Sequence, residues 1–498
     1  MQLVTRRYYD AQGRITDSYE PTQSLSYSYT PGGKLDTFCV VNQACESHTY
    51  DAQNREIQIT HRDGSTETTG YDENGNVTSH TDIGGRTTRT VYDAANRPTA
   101  VIYPDDTPAT DADNPFTASA YDAAGRLTAS SDELGHTTTY GYDDAGRRTT
   151  VTDALGHTTT THYDDRGRRD SVTDAAGHTT KFQYDDSGRL TDTILPDETP
   201  SDADNPRTHV DYDAAGRKIA DTDPAGRITR YDYDELGRLI TVVLANPTNG
   251  ANPPLQNGVS PDSGTLTTHY RYDSLGNKLA QTDANGHITT WTYDNAGHAE
   301  SRTLPGGQRE YFYYDILGRM YYHQHFNGFV VRPTYDLADR VKQLDYSNGT
   351  SVVYTYTPSG KVHTATDANG VTTYEYDVRD RLSKVTWPSG QSIDYRYDAA
   401  GNRTQLVTAN QHVDFGFDAL NRLQSVTAAN ANAPAPTGPL ATYGYDNVGN
   451  RQSITRANGT STTYGYNARN QLTTISHRIA AGALALGLSY QLDASGMQ

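Results

Sequence analysis

The sequence predicts an all-β fold, a long antiparallel hairpin ribbon that coils upon itself, and three observations predict it. The motif Tyr-Asp-x-x-Gly-Arg recurs about every 21 residues, as in Tyr121-Asp122-Ala123-Ala124-Gly125-Arg126 and Tyr142-Asp143-Asp144-Ala145-Gly146-Arg147. Within a unit, two Asp-x-x-Gly turns such as Asp143 to Gly146 and Asp153 to Gly156 leave segments of about six residues, the length of one strand. Those segments are rich in Thr, Val, Ile and Tyr, and Gly and Asp interrupt them too often for a helix of more than about two turns.

Counted by the tyrosine position, 21 units run from Tyr9 to Tyr466, with Phe417 standing in once. A fixed period of this length marks an array whose units bury apolar surface only against their neighbours. We therefore read residues 1–476 as one continuous array and 477–498 as a degenerate terminal repeat or a truncated end. In each turn, Asp at the first position accepts local backbone hydrogen bonds and Gly at the fourth tolerates positive φ, which gives type I hairpin turns.

The tyrosine is usually preceded two residues earlier by another aromatic, as in Tyr140/Tyr142, Phe182/Tyr184, Tyr231/Tyr233 and Trp291/Tyr293. Residues i and i+2 of a strand share a face. Rows of stacked aromatics are expected across the strands, each pair adding roughly 0.2–1 kcal/mol. The hydroxyl of tyrosine lets the ring pack while its tip reaches a polar partner.

Composition alone leans towards disorder, with 34% hydrophobic residues and a net charge of −19. The 38 tyrosines and the strict period overturn that prior, because each ring can bury about 150 Å² or more. Two strands per unit at about 4.8 Å spacing would make a flat ribbon about 200 Å long, which sheet twist forbids. It must coil as a spiral tube or shell, which also covers its edges. The acidic balance of 61 Asp and Glu against 42 Lys and Arg argues against nucleic acid as a partner. No apolar run approaches the roughly 18 residues that cross a bilayer, and no Sec signal stands at the N-terminus.

Four insertions break the period, near 104–118, 196–209, 244–268 and 428–442. Each replaces the second turn of its unit, so all four are expected on one edge of the ribbon. The first two are near copies, and their acid pairs Asp111/Asp113 and Asp202/Asp204 read as solvated turns, since the mid-loop Gly and late bidentate Glu of a calcium loop are missing.

Cys39 and Cys45 can close a hairpin in an oxidising compartment or stay reduced. His136, His157, His178 and His287 share one position after the second-turn glycine, where Arg86 and Arg227 also occur. A column of imidazoles could sense pH, but the shared arginines favour a simple exposed polar position. His323 and His325 read as a plain surface pair without the further ligands of a zinc site. Asp and Arg of the motif recur in nearly every unit, for example Asp122, Gly125, Arg126, Asp143, Gly146, Arg147, Tyr233, Asp234, Gly237 and Arg238, and a repeated constellation is scaffolding, whereas catalysis needs a singular one. They are expected to cap turns and form rim ion pairs worth about 0–1 kcal/mol. We expect no enzyme, no cofactor and no metal site.

Tyr121-Asp122-Ala123-Ala124-Gly125-Arg126-Leu127-Thr128 and Tyr233-Asp234-Glu235-Leu236-Gly237-Arg238-Leu239 closely resemble the YD repeat of the Rhs family, over almost the whole chain. That family includes bacterial polymorphic toxins, the shell-forming B and C components of insecticidal Tc toxins, wall-associated proteins and teneurins. The resemblance implies a β-ribbon spiralling into a hollow cocoon, which in the toxins encloses a C-terminal effector. It also implies a toxin or other cargo polypeptide as partner, a delivery-machinery protein, and a secreted or cell-surface location reached without a Sec signal in this chain. The family's terminal core signature, a Tyr-Asp-Pro motif followed by Gly-Arg-Phe and a later Asp-Pro, is not found here, so its self-cleavage motif and toxin domain have no place in this sequence. The chain is then a piece of a longer protein or a repeat-only member, and its start inside a repeat favours the piece. The rival reading is a cell-surface adhesin or carbohydrate-binding repeat protein, in which tyrosines such as Tyr395 and Tyr397 stack on a glycan.

Overall fold

In the computed structural model the described residues are 6–19, 24–41, 43–105, 114–197, 205–245, 265–430 and 438–492. They contain 43 strands and no helix, from Arg6–Tyr9 to Leu484–Ser489. Every strand pairs antiparallel with the next in sequence, as Thr137–Tyr142 does with Arg148–Thr152 and that strand with Thr158–Tyr163. No pairing joins the last strand to the first among the described residues, so the sheet is one open ribbon.

Both turns of a unit share one construction. The Gly146 amide donates to the Asp143 carbonyl at 3.0 Å and the Asp143 amide to the Arg147 carbonyl at 3.0 Å. Gly146 takes φ +79° and Gly156 φ +87°, where a Cβ would strain the chain. The pairing slips by one residue between Gly141 and Tyr142. This is a type I turn closed by a bulge, and the bulge adds local twist at every motif turn.

Motif turns fall on one edge of the ribbon and second turns on the other. The four insertions connect Pro98–Ile102 to Phe116–Tyr121, Leu190–Ile194 to Arg207–Tyr212, Leu239–Leu244 to Leu266–Tyr272, and Leu423–Asn430 to Ala441–Tyr445, all at second-turn positions. Asp111, Asp113, Asp202 and Asp204 lie outside the described residues.

The ribbon is a single layer. Its surface is 28335 Å², whereas a compact monomer of 54.6 kDa would expose about 18,000 Å². Among the described residues only Val40 and Val243 are large side chains buried to below 2% exposure. With so little core, cohesion must come from contacts between neighbouring units.

Gly146→Ala should cost about 1–2 kcal/mol through left-handed strain. A lowered denaturation midpoint, with faster amide exchange confined to the 143–147 turn, checks this.

Candidate functional site

The repeated site is a clasp that ties most motif turns to the next. The Asp143 carboxylate accepts hydrogen bonds from the Arg147 amide at 2.8 Å and from Arg147 Nε at 2.7 Å. That ion pair flattens the guanidinium over the following tyrosine, with Arg147 Cζ 4.7 Å from the centre of the Tyr163 ring. Arg147 Nη1 then donates to the Asp164 carbonyl at 3.4 Å, and Tyr163 Oη donates back to the Arg148 carbonyl at 2.9 Å. One residue thus makes an ion pair, a cation–π contact and a bond to the next turn.

The clasp repeats along the ribbon. Arg97 lies over Tyr121, Arg126 over Tyr142, Arg217 over Tyr233 and Arg238 over Tyr272, at 4.7 to 5.2 Å. Asp122 and Asp234 hold Arg126 and Arg238 at 2.7 Å. Tyr121, Tyr142 and Tyr233 donate to the carbonyls of Pro98, Leu127 and Lys218 at 2.7 to 2.9 Å. Gly125, Gly146 and Gly237 all have positive φ. Where His298 replaces the arginine, its ring lies against Tyr314 in a tilted contact, centroids 4.8 Å apart. The clasp also spans the insertions, since Arg238 Nη1 reaches the Asp273 carbonyl at 2.6 Å. An insertion on the opposite edge leaves successive motif turns adjacent.

The expected aromatic contacts across strands occur in places, as between Tyr27 and Phe38 at 5.3 Å and Tyr313 and Tyr322 at 5.2 Å, but the motif tyrosines form no such row. Motif tyrosines sit on alternate strands, about 9–10 Å apart, too far for ring-to-ring contact, and the arginine fills the gap. The expected turn caps and Asp–Arg ion pairs are present, and the pair also orients the guanidinium for two further contacts. Tyr395 and Tyr397 belong to the same network: Tyr397 donates to the Leu382 carbonyl at 2.9 Å beneath Arg381, and Arg403 lies over Tyr395 at 5.7 Å.

The second site is a seam where distant parts of the ribbon meet edge to edge. The turn holding Arg86 meets the turn holding Asp380, 25 strands later, with Arg86 Nη1 2.5 Å from the Asp380 carboxylate and Nη2 at 2.7 Å. Arg62 pairs with Asp339, and Arg340 lies 3.6 Å from Asp63. Glu133 pairs with Arg379 at 3.0 Å, and Arg379 also covers the Tyr103 ring at 5.0 Å. Asn421 donates to Asp132 at 3.3 Å. A Cβ on Gly84 would lie 3.0 Å from Ser359 Cβ, so glycine permits the closest approach. Second turns of the earlier coil therefore face motif turns of the later one. At about 4.8 Å per strand, a coil of this length is about 120 Å around and about 40 Å across.

The histidine position is exposed as expected at His287, whose side chain is 60% exposed, but not at the other three. His136, His157 and His178 bond Asp132, Asp153 and Asp174 at 2.9, 2.9 and 3.3 Å, and their side chains are only 21 to 33% exposed. The second coil packs beside them: a cavity lined by Asp153, His157, Asp174, Asn447 and Asn470 runs along the seam. His323 and His325 are not a plain surface pair either. His323 stacks on Phe312 at 4.5 Å and lies 3.4 Å from the buried Glu310. The described residues hold no group of three or more His, Cys, Asp or Glu placed for a metal. Cys39 and Cys45 face each other across a hairpin and form a disulfide.

The sequence profile of the RHS Repeat family matches residues 71–108, 121–159, 163–200, 212–248, 272–309, 356–386, 376–413 and 445–483, more than half of the chain. The chain belongs to the RHS repeat family. No curated protein matches it. The crystal structure of TcdB2-TccC3-TEV aligns with a TM-score of 0.69 at 18% identity over 98% of this chain. TcdB2-TccC3 without its hypervariable C-terminal region aligns at 0.69 and 18% over 96%. A Photorhabdus luminescens Tc holotoxin pore carrying a TccC3 mutation aligns at 0.58 and 17%, again over 96%. This RHS repeat chain spans 31, 30 and 31% of those chains, and the likeness establishes a shared shell fold.

Tyr142→Phe should cost about 1 kcal/mol by leaving the Leu127 carbonyl without its donor. The loss should appear as faster exchange in units 121–163 with distant units unchanged, as a one-dimensional array requires.

Stability should also depend on pH in a defined direction. The Arg147 amide holds the Asp143 carboxyl below its ordinary value, with its guanidinium adding to this against the push of burial. Burial pushes Asp82 and Asp380 up, but the Arg86 hydrogen bonds outweigh it and both end lowered. Groups lowered on folding contribute stability that is complete above their unfolded value and is lost as pH falls through the folded one. His209 acts oppositely: burial lowers it, Asp192 and Asp211 outweigh that, and its raised value favours the fold at lower pH. The many carboxylates dominate, so the melting temperature should change little between pH 5 and 8 and fall steeply below about pH 4.

Proposed function

We propose that this chain is a wall segment of a toxin-type shell that encloses a polypeptide cargo. The observation that carries this reading is the seam: a one-layer ribbon returns upon itself and is tied to its own earlier coil by the Arg86–Asp380 and Glu133–Arg379 pairs. A solid domain would bury one face in a core, whereas this ribbon keeps two solvent-accessible faces and about 10,000 Å² of surface beyond that of a compact monomer. The aligned structures are of TcdB2–TccC3 assemblies, one of them lacking a hypervariable C-terminal region, which supports a cargo at that end of the complete protein. The Cys39–Cys45 disulfide suits an oxidising, extracellular destination. Enclosure is a structural task, and the repeated clasp residues serve it as wall material with no catalytic role. The adhesin reading finds less support, since many motif tyrosines, Tyr397 among them, are already covered by arginines.

An unfolded reporter polypeptide fused after Gln498 tests the proposal. Enclosure predicts digestion at least about tenfold slower than for the same reporter free in solution. Equal digestion, with the wall itself intact, would count against the cargo reading.

A further inference from the structure

Six described residues other than glycine have positive φ: Asn54, Asn96, Asp339, Asp380, Asn421 and Asn470. All six occupy the glycine position of a motif turn. From the unit of Tyr314 onward the position alternates strictly, reading Gly318, Asp339, Gly360, Asp380, Gly401, Asn421, Gly449 and Asn470. Glycine would be the easier residue in that conformation, so something other than the turn must favour a side chain in every second unit.

The contacts show what the side chains do. Asp339 meets Arg62 of the first coil and Arg319 of the unit before it. Asp380 meets Arg86 of the first coil, and Ser359 of the preceding unit donates to it at 2.7 Å. Asn421 bonds Asp132 at 3.3 Å in the first coil and Asn402 at 2.7 Å beside it. Asn470 receives the Asn450 amide at 2.8 Å and lines the seam cavity with Asp153 and Asp174. Each has one partner along its own coil and faces the coil above. Asn96, on the first coil, is bonded sideways along its own coil, to Asn76 at 2.8 Å and Asn74 at 3.1 Å.

We propose that Asp339, Asp380, Asn421 and Asn470 are coil-to-coil latches, and that replacing the turn glycine by Asp or Asn in alternate units is the device that fixes one coil of the shell onto the next. The inference goes beyond the cargo reading and does not depend on it. At this position the side chain carries the motif turn across the seam, alongside Arg340 and Arg379 of the same turns. Arg62 and Arg86, largely buried with side chains 4% and 19% exposed, are the matching sockets. Asp and Asn suit the task because they tolerate positive φ better than other side chains do.

The test replaces all four by glycine (D339G, D380G, N421G, N470G), the residue that neighbouring units carry at this position. A turn-forming role predicts an unchanged or more stable protein. The latch predicts that strand amides keep their protection while amides at 62–63, 82–86 and 132–133 exchange at least tenfold faster. A second readout is a short bismaleimide cross-link across the seam between cysteines placed by Glu133→Cys and Arg379→Cys, which should form in the parent and drop at least fivefold in yield in the glycine variant. Unchanged seam exchange and cross-linking would overturn the proposal, and so would general loss of strand protection, since that would make these residues necessary to the ribbon itself. N54G with N96G is the control, expected to leave cross-linking unchanged. An equal loss there would show a turn effect and defeat the latch.

Discussion

The structure depends on an arginine carried by 13 of the 21 units, held by its own aspartate and laid over the next unit's tyrosine. A hairpin ribbon with almost no core has no other means of fixing the angle between successive hairpins. Hydrogen-bonded ladders set the spacing of strands but leave twist and coil soft. The clasp links turn to turn along one edge only, through Arg147 to the Asp164 carbonyl and through Tyr163 to the Arg148 carbonyl. An array fastened along one edge and free along the other can bend, and the free edge can receive insertions without disturbing the fastened one. That asymmetry accounts for the placement of all four insertions.

The repeat units were legible in the sequence because their chemistry is local. Asp at the first turn position and Gly at the fourth specify turn, bulge and register within five residues, and the strands between them follow. The row of aromatics was misread because tyrosines 21 residues apart look adjacent in the repeat but lie two strands apart in space. The arginine five residues after most of the tyrosines was visible, yet its stacking partner belongs to the next unit. His136, His157 and His178 read as exposed for a related reason: nothing local says that another coil lies against them.

The seam was not legible because its partners are far apart in the chain, Glu133 and Arg379 by 246 residues and Arg86 and Asp380 by 294. A trace of it was present all the same. The motif loses its glycine in alternate units after Tyr335, and a loss so regular at a position so demanding marks a second constraint on the same residue. Cys39 and Cys45 show the opposite case, in which hairpin register alone places two side chains opposite each other but the sequence left their pairing open.

The central claim is that a single-layer ribbon closes coil upon coil around an interior, and electron microscopy of the purified chain tests it most directly. The account predicts a curved wall one sheet, about 10 Å, thick, with a second coil stacked edge to edge on the first and a density minimum at the centre. Two sheets packed face to face, or an uncoiled ribbon without a seam, would contradict it.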